Sequence, residues 1–471
     1  MNRNSLWSLR LGFSNNQASA IENLGIEKFL EQSLQVPFDK NIPAFLESSP
    51  KTYADLKEMR QKAKESDVEG KRKLLKESND INLDMKSWWI DKMLNDEFPL
   101  KEKMVCFWHN HYVATYQKIK VNYWVFQHNQ ILREHAFGNF KELTKQIVQS
   151  NAVIRYLDNN ENKKGKINEN LSRELLELFT IGIGNYTEED IQNGAKGLAG
   201  LGIGEDKATY HKKDEDNDPI VYFGKKGVFK IDQMIDIIFE QKNIPYFITR
   251  KILKWFIYDS PNEKLVTHYG DYFRSVNFEI KPLLIKIFTE EFDKNTAGSK
   301  IKNPLEYSLQ LISELNIDIK NNNYLANFIR QQNMDLFNQP NVKGWDGGKS
   351  WLSSQMYLQR NNLLYVLTSG KVLNQKNLND PSKMDGTKMD SNKMDDTKMK
   401  QTPVHLDWNK GDNKQIIAQL SNRLLFQVDE TSQKDFESIL KYDFDENAKN
   451  ADQAVLRLFT NMIKLPEFQL I

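Results

Sequence analysis

Two groups of residues in this 471-residue chain have the types and spacing for chemistry. One is the histidine pair His109 and His111 in "FWHNHYV", in a chain with only seven histidines. The other is "NENLSRELLELF", residues 168–179. At roughly 100° per residue its apolar Leu171, Leu175, Leu178 and Phe179 share one helix face. Glu169, Asn170, Arg173, Glu174 and Glu177 share the other, with Asn168 just before it. Imidazoles and carboxylates together suit Zn, Mn or Fe. The three-residue step from Glu174 to Glu177 is one that helical di-metal proteins use for paired ligands.

The same residues have a plainer reading. Glu169–Arg173 and Arg173–Glu177 are opposite charges four apart, which stabilise any exposed helix face. His109 and His111 diverge by roughly 200° around a regular helix, so one of them turns away from a shared site. His111 is the better candidate, because Phe107 and Trp108 lie four and three residues before it on the side that packs inward. His211, between turn residues and beside Lys212 and Lys213, is a third possible ligand or an exposed turn histidine. Cys106, the single cysteine, sits in "MVCFW" and reads as a small buried hydrophobe. With one cysteine there is no disulfide framework and no cysteine-based zinc finger.

The elements that must position these groups are helical. Residues 21–34 carry an apolar stripe at helical spacing, and 52–78 form a highly charged helical stretch with both signs interleaved. Residues 84–112 predict one or two helices broken at Pro99, and 120–157 two more. Thr187 with Asp190 three later reads as a capping box. Gly194, Gly197 and Gly200 in the helix that follows imply close packing against a neighbour. Residues 205–230 alternate short apolar runs with turn residues and predict a small β-hairpin. "NQPNVKGWDGGKSW", 338–351, carries two tryptophans and reads as an ordered loop. The fold class is mainly α, a multi-helix globular bundle with a hairpin insertion near the middle. The domain reading is 1–370 as one helical domain, 376–402 as a disordered insertion built on the Lys-Met-Asp repeat at 381–401, and 403–471 as helices packing on the same domain.

Composition removes several function classes. Hydrophobic residues are 39% and charged residues 27%, as in globular proteins. A net charge of +1 offers no global attraction for nucleic acid or an anionic membrane, and no nucleic-acid partner is expected. No apolar run approaches the roughly 18 residues of a membrane span. The N-terminus lacks the continuous apolar stretch of a signal peptide, which predicts a cytoplasmic protein, with export as the alternative. "GLGIG", 200–204, lacks the strand–turn–helix setting of a dinucleotide site, so no nucleotide cofactor is expected. "DEDNDP", 214–219, has Pro219 where a calcium loop needs glycine and Lys225 where it needs the closing glutamate.

The longest blocks of unusual composition are "LRLGFS", "PLKEKMVCFWHNHYVAT", "LREHAFGNFKELTKQIV", "LDNNENKKGKINENLSRELLELFTIGIGNYTEEDI" and "FNQPNVKGWDGGKSW". Over roughly residues 6–365 they make the chain resemble the bacterial family called DUF1800, a domain of unknown function. The resemblance places His109, His111, Asn168, Glu169, Asn170, Arg173, Glu174 and Glu177 in signature blocks, and His211 in a matching hairpin position. It departs at Ser150-Asn151, where the family usually has Asp-Pro, and at Ala199 and Leu201. Members of the family often look exported and occur beside sulfatase-like proteins, which makes such a protein a possible partner.

Three functions follow as expectations. The first is a metal-dependent enzyme, hydrolase favoured. His109, His111, His211, Glu169, Glu174 and Glu177 would supply ligands to a divalent Zn, Mn or Fe. Glu174, Glu177, Arg173, Asn168 and Asn170 would serve catalysis on a polymeric or anionic substrate. The second is a metal-free enzyme using a Glu pair as acid and base on a glycan. The third is a non-enzymatic helical scaffold or partner-binding protein in which the polar residues form a buried network, with "NQPNVKGWDGG" as the partner-binding loop.

Overall fold

A computed structural model of the chain describes residues 2–319, 322–379, 403–441 and 444–471. The elements that build the site are α1 (Val68–Asn95), α2 (Leu100–His111), α3 (Asn122–Glu134), α4 (Asn170–Glu174), α5 (Glu188–Gly197), α6 (Ile244–Phe256) and α7 (Pro304–Glu314). Among the described residues there are 23 α-helices and two small antiparallel sheets, so the mainly α class holds. None of these helices is long and apolar enough to cross a membrane.

Local chemistry accounts for most helix boundaries. The capping box at Thr187 and Asp190 forms, with Thr187 Oγ1 accepting from the Asp190 N–H at 3.1 Å. The charged stretch 52–78 breaks where Asp67 caps α1 by accepting the Gly70 N–H at 2.8 Å. Pro99 stands at the start of α2, where a missing N–H costs nothing. Gly194 lets α5 lie against α4, since a Cβ there would sit 2.4 Å from Ser172 Oγ. That close contact is the packing reason for the glycine.

The expected single hairpin is two. Strands β1 (Leu201–Gly202) and β2 (Thr209–Tyr210) pair with Leu201 opposite Tyr210. Strands β3 (Ile220–Tyr222) and β4 (Lys225–Gly227) pair with Tyr222 opposite Lys225. The second turn needs two consecutive positive φ values, which Phe223 (47°) and Gly224 (76°) adopt. The first pair starts inside "GLGIG", so that glycine-rich segment is a strand and turn.

One continuous apolar core runs from Trp7 to Phe468 and includes side chains from 403–471. Helix α2 crosses its middle, with every residue except Asn110 buried. Of the buried charges on α2, Lys103 pairs with Glu306 at 2.8 Å and Glu102 with Arg133, while Lys101 donates to the Pro37 carbonyl at 3.1 Å. The Lys-Met-Asp repeat lies outside the described residues. Residues 376–379, assigned to the same insertion, belong to a short helix, Gln375–Asn379.

Candidate functional site

The C-terminal end of α2 sends His109, Asn110 and His111 in three directions. His109 points into the core, with no exposed surface. Its ring packs on Trp89, His128 and Phe337, with centroids 4.9, 5.2 and 5.3 Å away. Asn129 Oδ1 accepts from Arg133 Nε at 2.6 Å, so the Asn129 amide NH2 faces His109 and donates to Nε2 at 3.0 Å. Arg133 Nη2 in turn donates to Glu102 Oε2 at 2.6 Å, and Trp89 Nε1 donates to the same oxygen at 2.8 Å. Burial, then the neighbouring His128, hold the His109 pKa well below the usual value, so the ring is neutral. This is a polar network inside the core, in which His109 Nδ1 has no hydrogen-bond partner. It brings none of Glu169, Glu174 or Glu177 to His109.

His111 turns the other way, toward the carboxylate segment, and meets its backbone. Its Nε2 lies 3.1 Å from the carbonyl of Phe179 and must donate to it, which leaves Nδ1 bare. Lys251 Nζ, from α6, donates to Nδ1 at 3.1 Å and to the carbonyl of Leu178 at 3.1 Å. Burial, then the Lys251 charge, keep the His111 ring neutral.

Those two carbonyls are accessible because the helix changes type. Residues Leu175–Thr180 form a π-helix directly after α4. The Ile181 N–H bonds to the carbonyl of Leu176 at 3.1 Å, five residues back. The wider turn leaves its last carbonyls to side chains from α2 and α6. It also limits the even 100° helix projection to the residues before Leu175.

The polar face of the segment is a half-buried charge cluster. Arg173 reaches Glu188 at 2.7 Å, Glu169 at 3.1 Å and Glu177 at 3.6 Å. Glu177 also accepts from the Tyr186 hydroxyl at 2.6 Å. Glu174 is half-buried. Burial and then Glu177 raise its pKa, while Arg173 and Lys343 oppose the rise. Asn168 and Asn170 hold the turn: Asn168 Oδ1 accepts the Asn170 N–H at 3.0 Å, and Asn170 Nδ2 donates to the carbonyl of Leu157 at 3.1 Å. His211 lies elsewhere, with Nε2 3.2 Å from the carbonyl of Ile203. Cys106 is fully buried, and burial raises its thiol pKa, opposite to what a nucleophile requires.

Among the described residues no three His, Cys, Asp or Glu side chains are grouped to hold a metal. The predicted donors do not fit one. His111 has both ring nitrogens engaged, one of them by an ammonium, and His109 is enclosed in a separate network. The proposed convergence of two histidines on three carboxylates is therefore corrected: His111 reaches the segment's carbonyls, and His109 does not reach the segment.

What His111 does line is a cavity of about 320 Å³. Lys251, Asn110, Trp255, Trp345 and Trp351 share its wall. The 338–351 loop covers it and is tied to α2 as an ordered loop. Gln339 Nε2 donates to the carbonyl of His109 at 2.9 Å, and the Trp345 N–H donates to Asn110 Oδ1 at 2.6 Å. Gly344, at φ 89°, allows this, since a Cβ there would lie 2.5 Å from the Asn110 carbonyl oxygen.

Lys251 is the group that sequence reasoning missed. Burial, then Lys254, lower its pKa from 10.5 to about 7. Its flanks, Arg250 and Lys254, make it look like part of an ordinary charged face. The available signal was Phe247 and Trp255, four residues away on either side, which put Lys251 on an apolar stripe. Its ammonium lies 4.6 Å from the Phe247 ring centre.

No functionally curated protein and no solved structure matches the chain. The pattern of one family, described as "Protein of unknown function (DUF1800)", matches residues 5–470 and so reaches through the C-terminal helices as well. With essentially its whole length accounted for, the chain belongs to the DUF1800 family.

Proposed function

We propose that this protein is an acid–base enzyme, with hydrolysis as its reaction class, and that Lys251 and His111 are its working pair. One observation carries the reading: Lys251 lines the cavity, and its Nζ is bonded at 3.1 Å to His111 Nδ1 and at 3.1 Å to the Leu178 carbonyl. A neutral amine has two N–H bonds and one lone pair. Both hydrogens are taken by these acceptors, so the lone pair is left free. With a pKa near 7, Lys251 is suited to take a proton from a water attacking the substrate and return it to the leaving group. His111 is the positioning residue. Its own orientation is set by the Phe179 carbonyl, which makes the π-helical turn part of the device.

The glycan reading keeps one support, the tryptophans of the wall, on which sugar rings stack. Its Glu pair is replaced here by the lysine. For His109 the buried network supports a scaffold role.

The test is hydrolysis of p-nitrophenyl acetate, phosphate, sulfate and glucuronide by wild type, Lys251→Arg and Lys251→Met. At least one substrate should be turned over, with kcat/KM rising through a titration near pH 7 and falling by about 10²-fold or more in both variants. No turnover of any of the four, or variants as active as wild type, defeats the proposal.

A further inference from the structure

The cavity under the 338–351 loop is lined by more lysines than carboxylates: Lys254 is drawn toward Asp259 and Lys343 toward Glu174, without either closing an ion pair among the described residues. Lys251 and Lys254 stand three apart on α6, and Lys343 comes from the loop. Among the described residues, none of the three has an ion-pair partner. The fourth lysine of the wall, Lys300, differs, since Glu306 pairs with it at 2.8 Å. The two lining carboxylates are Asp259 and Asp346. Asp259 already accepts the Ile301 N–H at 3.0 Å, and burial is the main cause raising its pKa. Like charges on adjacent turns of one helix repel, and a bound anion relieves that repulsion.

A second observation is independent of charge. Trp255 and Trp345 both line this cavity, and both carry a buried indole N–H with no acceptor. Native proteins pair nearly all buried donors, and these two nitrogens expose almost no surface to the cavity, so the indoles serve as markers of a wall that a bound ring would shift. A volume of about 320 Å³ admits one substituted ring.

We propose that the cavity binds an organic anion. Its carboxylate or sulfate lies among Lys251, Lys254 and Lys343, and its ring packs on the wall tryptophans. This rests on the acid–base reading of the same cavity and names what enters it. An anion beside Lys251 favours the charged amine, so binding near neutral pH takes up a proton.

The probes are p-nitrophenyl glucuronide and p-nitrophenyl sulfate, with neutral p-nitrophenyl glucoside as control, added to the full chain. Titration calorimetry in two buffers of different ionisation enthalpy reads affinity and proton uptake. Indole NMR, with Trp255→Phe and Trp345→Phe for assignment, reads the two donors. At least one anionic probe should bind about tenfold tighter than the glucoside or better, take up a proton, and shift both indole signals. Lys343→Ala should weaken it roughly tenfold. Which anionic probe binds distinguishes a sugar carboxylate from an aryl sulfate. Equal binding of the glucoside, or unmoved indole signals at millimolar probe, overturns the proposal. A neutral-pH titration of Lys251 without anion binding sinks the ligand class alone. Anion binding with an ordinary Lys251 titration sinks the acid–base reading alone.

Discussion

Replacing Lys251 by methionine should stabilise the protein at low pH and destabilise it at high pH. The fall in pKa from 10.5 to about 7 means that folding disfavours the ammonium. At roughly 1.4 kcal/mol per tenfold change in proton affinity, the burden is at most about 5 kcal/mol. Contact of the partly buried side chain with solvent reduces it further. The unfolded chain binds more protons at this site than the folded one between pH 7 and 10.5. The burden is therefore full below about pH 7 and vanishes as pH approaches 10.5. Methionine removes it but strands the His111 and Leu178 acceptors, a loss of about 1–2 kcal/mol each. The net expectation is a gain of about 1–2 kcal/mol near pH 6.5 and a loss of about 2–3 kcal/mol near pH 10. Urea unfolding of both proteins across this range reads the difference. A destabilisation of constant size at every pH would show that Lys251 is an ordinary structural lysine, and would refute the argument.

The remaining predictions concern the site's supports. His109→Ala opens a cavity and leaves the Asn129–Arg133–Glu102 network incomplete in the core, so unfolding free energy should drop by about 3 kcal/mol or more, measured by urea titration. Gly344→Ala places a Cβ against the Asn110 carbonyl at a φ of 89° and should cost about 1–3 kcal/mol, with proteolysis at the 338–351 loop faster than in wild type. Arg173→Ala removes a partly exposed cation, so its urea midpoint should match wild type in high salt, where screening already weakens such pairs. Dialysis against EDTA should leave the thermal melt unchanged, and elemental analysis should find no stoichiometric Zn, Mn or Fe, because His111 has both ring nitrogens engaged within the protein and, among the described residues, no three ligand side chains are grouped to hold a metal.

Much of the architecture is local and was legible in the sequence. The Thr187–Asp190 cap, the break at Pro99, the mainly helical class and the ordered tryptophan loop all follow from side-chain chemistry within a few residues. Three of the family blocks, in α2, the 168–180 segment and the 338–351 loop, meet around one cavity or support it. The π turn escaped because α and π hydrogen bonding use the same residue types and differ only in which carbonyl each N–H selects. That choice depends on what caps the end: here His111 and Lys251, from helices distant in sequence.

Spacing around α2 established by itself that His109 and His111 must part. Only the tertiary structure decided what each would meet. His109 meets Asn129 and a buried ion pair, and His111 meets a helix end and an amine. The same holds for the lysines of α6. Arg250, Lys251 and Lys254 read as one charged face, yet Lys251 alone is enclosed, and its pKa falls to about 7 because desolvation depends on every element packed around it. Sequence determines which groups a chain carries and their local geometry. The charge state of those groups is set by the surroundings that the finished fold builds.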